Sequence, residues 1–210
     1  MSALWAVAVA LAAQNTEKPE IDEKAGTVGF TARAVKQDVY AELKGVIEYA
    51  IVNKGGKAYE SLFEAGVDPL ALREALQKVG IEPGKPAYED DDGKAHPPTG
   101  GKLVIRVEWK DGDKARSEPL EAFITDTTTG KAMAPVQWLF TGSKKGFVPA
   151  LERPDFMVLN TNNLVALHHG DGTVLVTNPV ASTSGNRYKT NKDLLPKEGT
   201  PVRIVMQAVK

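Results

Sequence analysis

Apolar and polar residues alternate in short blocks along this chain, and only one block changes period. In Thr27 to Val35, the residues Val28, Phe30, Ala32 and Ala34 fall on one face. That two-residue period belongs to a strand with one side buried. Leu103 to Trp109 repeats it, with Leu103, Ile105, Val107 and Trp109 opposite Val104, Arg106 and Glu108. Val46 to Val52, 114–124, Pro135 to Phe140, Leu164 to His168, Thr173 to Thr177 and Val202 to Val209 predict further, mostly shorter strands. Asn53-Lys54-Gly55-Gly56 predicts a hairpin turn into a returning strand, Lys57 to Glu64. His169-Gly170-Asp171-Gly172 predicts a second hairpin, between Leu164–His168 and Thr173–Thr177.

The period lengthens at 69–79. Leu72, Ala75, Leu76 and Val79 form an i, i+3, i+4, i+7 stripe, Asp68 stands at the N-cap and Pro69 at the first helical position. Gly80 is placed to end the helix. Pro83 to Gly101 and residues 178–200 carry no period and predict loops. With many strands, one helix and no βαβ alternation, the pattern predicts a single α+β domain. It would be dominated by antiparallel sheet, with the 69–79 helix packed on it.

The first residues bear on compartment. Ala3 to Ala13 is an unbroken apolar run, too short to span a bilayer, which takes about 20 residues. Ala10-Leu11-Ala12 has the small-x-small form of a cleavage site, and polar Gln14 to Glu17 follow. We read residues 1–12 as a signal peptide, 13–25 as a flexible leader and 26–210 as the domain. The mature chain would be periplasmic or extracellular, with no membrane span.

Charge and composition narrow the function classes. Twenty-six basic and 27 acidic residues leave a net charge of −1, which argues against a strongly basic nucleic-acid binder. Cysteine is absent, so disulfides, thiolate-ligated zinc, iron–sulfur clusters and cysteine nucleophiles are excluded. No cofactor motif appears. Gly142-Ser143-Lys144-Lys145-Gly146 lacks the ending of a phosphate loop, and Glu89 to Gly93 fails the EF-hand spacing. His168 and His169 beside Asp171 form a weak metal candidate, because neighbouring strand residues point to opposite faces.

A set of short motifs, in order, carries a resemblance. Glu48-Tyr49, Gly55-Gly56-Lys57, Glu60-Ser61-Leu62-Phe63 and Asp68-Pro69 come first, followed by Leu72, Ala75-Leu76, Gly80 and Pro83-Gly84. Val107-Glu108-Trp109, Trp138 to Ser143 and Pro196 to Val202 complete the set. The chain resembles the YdjY-type domain of exported bacterial proteins, from about residue 25 to 210. The resemblance implies export and one folding unit, with no established activity. The ferredoxin-like label of some members does not transfer to a chain without cysteine. Polar turns at strand ends are where a sheet scaffold presents binding groups. Glu60, Ser61, Thr141, Gly142 and Ser143 are therefore the binding candidates, with Trp109 or Trp138 as an apolar floor. The expected function is a non-catalytic envelope module binding a protein or glycan. The alternative is a periplasmic hydrolase or metal-dependent enzyme using His168 or His169 with a nearby carboxylate.

Overall fold

A computed structural model describes residues 16–180 and 186–209. The apolar run Ala3–Ala13 and its cleavage site lie outside the described residues. Eight strands form the body of the fold: β1 (Thr27–Ala34), β2 (Tyr49–Asn53), β3 (Phe63–Ala65), β4 (Gly101–Asp111), β5 (Trp138–Phe140), β6 (Asn163–Ala166), β7 (Val176–Thr177) and β8 (Pro201–Ala208). The helix α1 (Pro69–Lys78) follows β3.

The alternating segments became the long strands. β8 lies between β1 and β4 and runs antiparallel to both, with Ile204 opposite Phe30 and Val107. The inward positions Val28, Phe30, Ala32, Ala34, Leu103, Ile105, Val107, Val202, Ile204 and Met206 are buried, as the alternation predicts. Beyond β4 the order continues through β5, β7, β6, β2 and β3.

The expected α+β domain, an antiparallel sheet with the 69–79 helix packed on it, is not what forms. β3 pairs on both of its edges, parallel to β2 (Ile51 opposite Phe63) and antiparallel to β1 (Ala32 opposite Ala65). The sheet therefore closes into an eight-stranded barrel that is mostly β, with two parallel pairings in it. Closure removes the free edges that an open sheet exposes. Side chains from facing strands, among them Phe30, Phe63, Ile105, Trp138 and Ile204, meet in one contiguous core.

Both expected hairpins are parallel pairings instead. After the turn at Lys54–Gly55, a 3-10 turn at Ala58–Glu60 reverses the chain a second time, so β3 runs alongside β2 in the same direction. Likewise β6 and β7 run parallel, with Val165 opposite Val176.

The helix formed as the stripe predicts. The Asp68 carboxylate accepts the N–H groups of Leu70 and Ala71, and Gly80 follows the helix at φ +85°. Leu72, Ala75 and Leu76 are fully buried in the barrel's core. The residues expected as a flexible leader include a strand. Glu20–Asp22 pairs with β1, and Glu17 exchanges backbone hydrogen bonds with Gly66 and Asp68. Lys114–Pro119 turns back along the far half of β4. No helix among the described residues is long and apolar enough to cross a membrane.

Candidate functional site

Two polar arrangements stand out, one closed and one open. The closed one lies where β2 meets β6. Asp171 sits in the loop after β6 and accepts four hydrogen bonds: from Tyr49 Oη at 2.9 Å, Asn163 Nδ2 at 3.4 Å, and the N–H and hydroxyl of Thr173. Burial alone would raise the pKa of its carboxyl. The donors around it outweigh burial and hold it below the usual carboxylate range. Burial and the Asp171 charge push the Tyr49 phenol far above its ordinary value.

His168 packs edge-on against the Tyr49 ring, 5.8 Å between centroids. Its Nδ1 accepts the Gly170 N–H, so the neutral ring carries its proton on Nε2. That buried Nε2 has no hydrogen-bond partner and lies 4.0 Å from Glu48 Oε2. Burial drives the imidazole below its ordinary pKa, and the nearby carboxylates do not restore it. Lys57 bridges Glu48 at 2.9 Å and Glu60 at 3.3 Å. Burial and the neighbouring Glu48 push Glu60 up. Burial acts the same way on Glu48, but the Lys57 ammonium and the other hydrogen bonds bring it down.

A general acid–base pair works at hydrogen-bond reach, about 2.6–3.2 Å or through one water. The His168–Glu48 separation is longer than that. His169 does not join the cluster, because its Nε2 lies 2.7 Å from the Asn178 carbonyl oxygen. Among the described residues no group of three or more His, Asp or Glu is placed to hold a metal ion. The weak metal candidate of His168, His169 and Asp171 therefore gains no geometric support.

The expected binding turn at Thr141–Ser143 is a buried tie. Thr141 Oγ1 donates to the carbonyls of Val174 and Leu175. Ser143 Oγ donates to Thr173 O at 2.7 Å and accepts the Val158 N–H at 3.0 Å. Gly142 sits at φ +79°, and a Cβ there would meet Pro83 Cβ at 2.7 Å, so no other residue fits without a shift. Ser61 is buried, its hydroxyl donating to Ala58 O. Among the described hydrogen bonds none joins Glu60 or Ser61 to the 141–143 turn. Trp138 is fully buried, and its indole N–H donates to Glu121 Oε1 at 3.0 Å. Neither Trp138 nor that turn can meet a ligand directly.

Trp109 alone of these candidates borders open space. A groove of about 590 Å³ runs along β8, β4 and the Lys114–Pro119 strand, lined by the outward Lys110 and Arg203 and by Arg116 and Trp109, the last half-buried on the inward face and edge-on to Phe123 at 5.5 Å. Arg203 lies flat over Gly29, where a Cβ would come 2.6 Å from the guanidinium. It is held there by Glu20 at 2.8 Å and Glu108 at 3.2 Å.

This barrel, with its short-stranded side tied by buried polar turns, corresponds to a known domain. The model for the YdjY domain matches residues 20–207. The chain belongs to the YdjY domain family. No curated protein and no solved structure matches it. The YdjY match spans the whole barrel, the closed cluster and the outer groove.

Several residues of the YdjY domain that matter here gave little sequence signal. Glu121 looks like a surface carboxylate in a polar stretch, yet it is buried against Trp138 and also accepts the Val136 N–H at 3.1 Å. Asn163 and Asn53 read as loop residues but are buried. Glu48, Tyr49, Lys57 and Glu60, which carry part of the resemblance, meet only because β2 and the Ala58–Glu60 turn are folded onto β6.

Proposed function

We propose that this YdjY domain is an exported, non-catalytic module of the bacterial envelope that holds its ligand on the outside of the barrel. The observation that carries this reading is the open outer groove beside Trp109. It offers the half-buried Trp109, three cations and the Glu108 carboxylate on a sheet, the mix expected where a few polar groups orient a ligand. The buried Tyr49 and Asp171 are instead occupied with each other and with Thr173, and His168 Nε2 lies too far from Glu48 for a hydrogen bond. Export rests on the Ala3–Ala13 run and the cleavage pattern after it.

Photo-crosslinking tests the surface. A benzophenone side chain placed at Lys110 should give adducts in cells of the native host, and the same group at Lys131, outside the groove, should not. Equal labelling from both positions, or none from Lys110, would overturn the reading. Fractionation of those cells checks export: the processed chain should leave the cytoplasm, and an unprocessed cytoplasmic chain would refute it.

A further inference from the structure

A second groove, of about 280 Å³, opens beside the first, on the far side of the β1–β8 ribbon. It is lined by Arg33, Lys36, Val39, Tyr59, Glu64 and Glu198, among others. Tyr59 is 39% exposed and meets the 47%-exposed Tyr40 edge-to-face at 5.2 Å. Solvent-exposed aromatic rings next to an exposed Val39 form an apolar platform that no other part of the described chain covers.

Strand register links the two grooves into one track. Strand register places Glu64 opposite Arg33 and Arg33 opposite Pro201. One step beyond the Val202–Trp109 pair, the same antiparallel register sets Pro201 opposite Lys110, and Lys110 is opposite Ala115. These five residues face outward in a single row across five neighbouring strands, and each lines one groove or the other. At about 4.8 Å between strands, the row is about 19 Å long. The Tyr59 platform stands at one end and the Trp109 groove at the other.

The chemistry of the row identifies its occupant. A ligand lying along it crosses the strands, whose backbone groups are already engaged in the sheet, so side chains alone must read it. Adding as a strand, the common way to hold an extended peptide, needs a free sheet edge. Among the described residues the main sheet keeps such edges outside Lys114–Pro119, where Pro119 and charged side chains blunt it, and outside Glu20–Asp22, which is only three residues long and carries two carboxylates. Arg33, Lys36, Lys110, Glu64 and Glu198 have no ion-pair partner among the described residues; they are three cations and two carboxylates, and the extra cation is offset by the second carboxylate on Arg203. Arg203 and Arg116 are already neutralised by Glu20, Glu108 and Asp111. With the signs balanced, the track has no field selecting a charged ligand. Aromatic faces plus paired donors and acceptors suit rings that carry hydroxyls on their rims and C–H on their faces.

We propose that the track binds a neutral polysaccharide chain laid across β3, β1, β8, β4 and the Lys114–Pro119 strand. This rests on the module reading above and names its ligand class. The test is affinity electrophoresis of the full chain in gels containing dextran, mannan, glycol chitin or alginate. Calorimetry with chito-oligosaccharides of two to six sugars accompanies it. At least one neutral polymer should retard the protein more than alginate does. Affinity for the matching oligosaccharides should rise with length until the track is filled. Tyr59→Ala and Lys110→Ala, one at each end, should each weaken binding about tenfold with unchanged melting temperature. The proposal is overturned by retardation in alginate alone, by affinity that stops rising at two sugars, by end variants that bind normally, or by no retardation in any neutral polymer. If a groove-specific crosslink at Lys110 then carries a protein, the module reading survives and only the polysaccharide falls.

Discussion

The two sides of the barrel are built differently. On one side β1, β8 and β4 are eight to eleven residues long, antiparallel throughout, and cemented by alternating apolar side chains. On the other, β5, β7, β6, β2 and β3 have two to five residues each and include both parallel pairings. Short strands make few ladder bonds, and here side chains supply the rest. Thr141, Ser143, Asn163, Asp171 and Asn178 all donate to or accept from neighbouring backbone or one another. One side is stabilised mainly by burial, the other by burial plus a network of buried polar side chains.

The comparison can be broken most sharply at the seam. Trp138 begins β5, pairs with Leu103 of β4 and is fully buried. Trp138→Ala removes a large core side chain and leaves the buried Glu121 carboxylate with the Val136 N–H but without the indole N–H. We expect a loss of about 4 kcal/mol or more in chemical denaturation. A loss below about 2 kcal/mol would mean that the two sides do not depend on this residue.

Within the long-stranded side, Ile204→Ala should cost about 3 kcal/mol, because Ile204 is fully buried between Phe30 and Val107. Leu76→Ala on the helix should cost a similar amount. Either variant unfolding at the wild-type midpoint would place that side chain outside the core.

On the short-stranded side, Asp171→Asn keeps the size and loses the charge that accepts four hydrogen bonds. A loss of about 2 kcal/mol is expected. Native-state hydrogen exchange should speed up in 49–53 and 163–177 while 201–208 stays at the global rate. Uniform acceleration would show that the network is not local to that side.

The smallest effect is a pH dependence. His168 faces Glu48, Asp171, Lys57 and His169, and burial depresses its folded-state pKa. The unfolded chain therefore binds a proton first as pH falls below about 6.5. Stability is full above that value and declines as pH drops toward the folded pKa. His168→Gln should flatten stability between pH 7 and 5, leaving a later loss at lower pH as the depressed Asp171 carboxyl protonates. An unchanged slope in the variant would assign the dependence to other groups.

The same contrast explains what was legible in the sequence. β1, β4 and β8 announce themselves because each has a full run of alternation, and α1 because its cap, proline and stripe agree. The short strands offer too few residues for a period. Gly-rich turns at 53–56 and 169–172 report a reversal but not the second reversal that makes the next strand parallel, so both pairings were misread as hairpins. Closure rests on Ala32 meeting Ala65, a contact no local pattern encodes. For the candidate site, Thr141-Gly142-Ser143 reads in the sequence as a binding turn, but its hydroxyls are engaged within the fold. Trp109 alone was placed at an open surface. Tyr59 and Lys110 were invisible because an exposed ring in a polar turn, or a lysine on an outer face, has no period to break.

The position of β8 between β1 and β4 has a kinetic consequence. Residues 27–34 and 101–111 lie far apart in sequence, and each has residues 201–208 as its longest partner. Until those residues have left the ribosome, β1 and β4 have only their shorter partners, such as Phe63–Ala65 and Lys114–Pro119, and the ring cannot close. Synthesis proceeds at roughly 5–20 residues per second, so the growing chain spends most of its emergence without a native barrel to fall into. A polypeptide ordered this way can form its 101–119 hairpin and its 69–78 helix as it emerges, but not its ring. It commits to its final shape in one late step, when the eighth strand slots in.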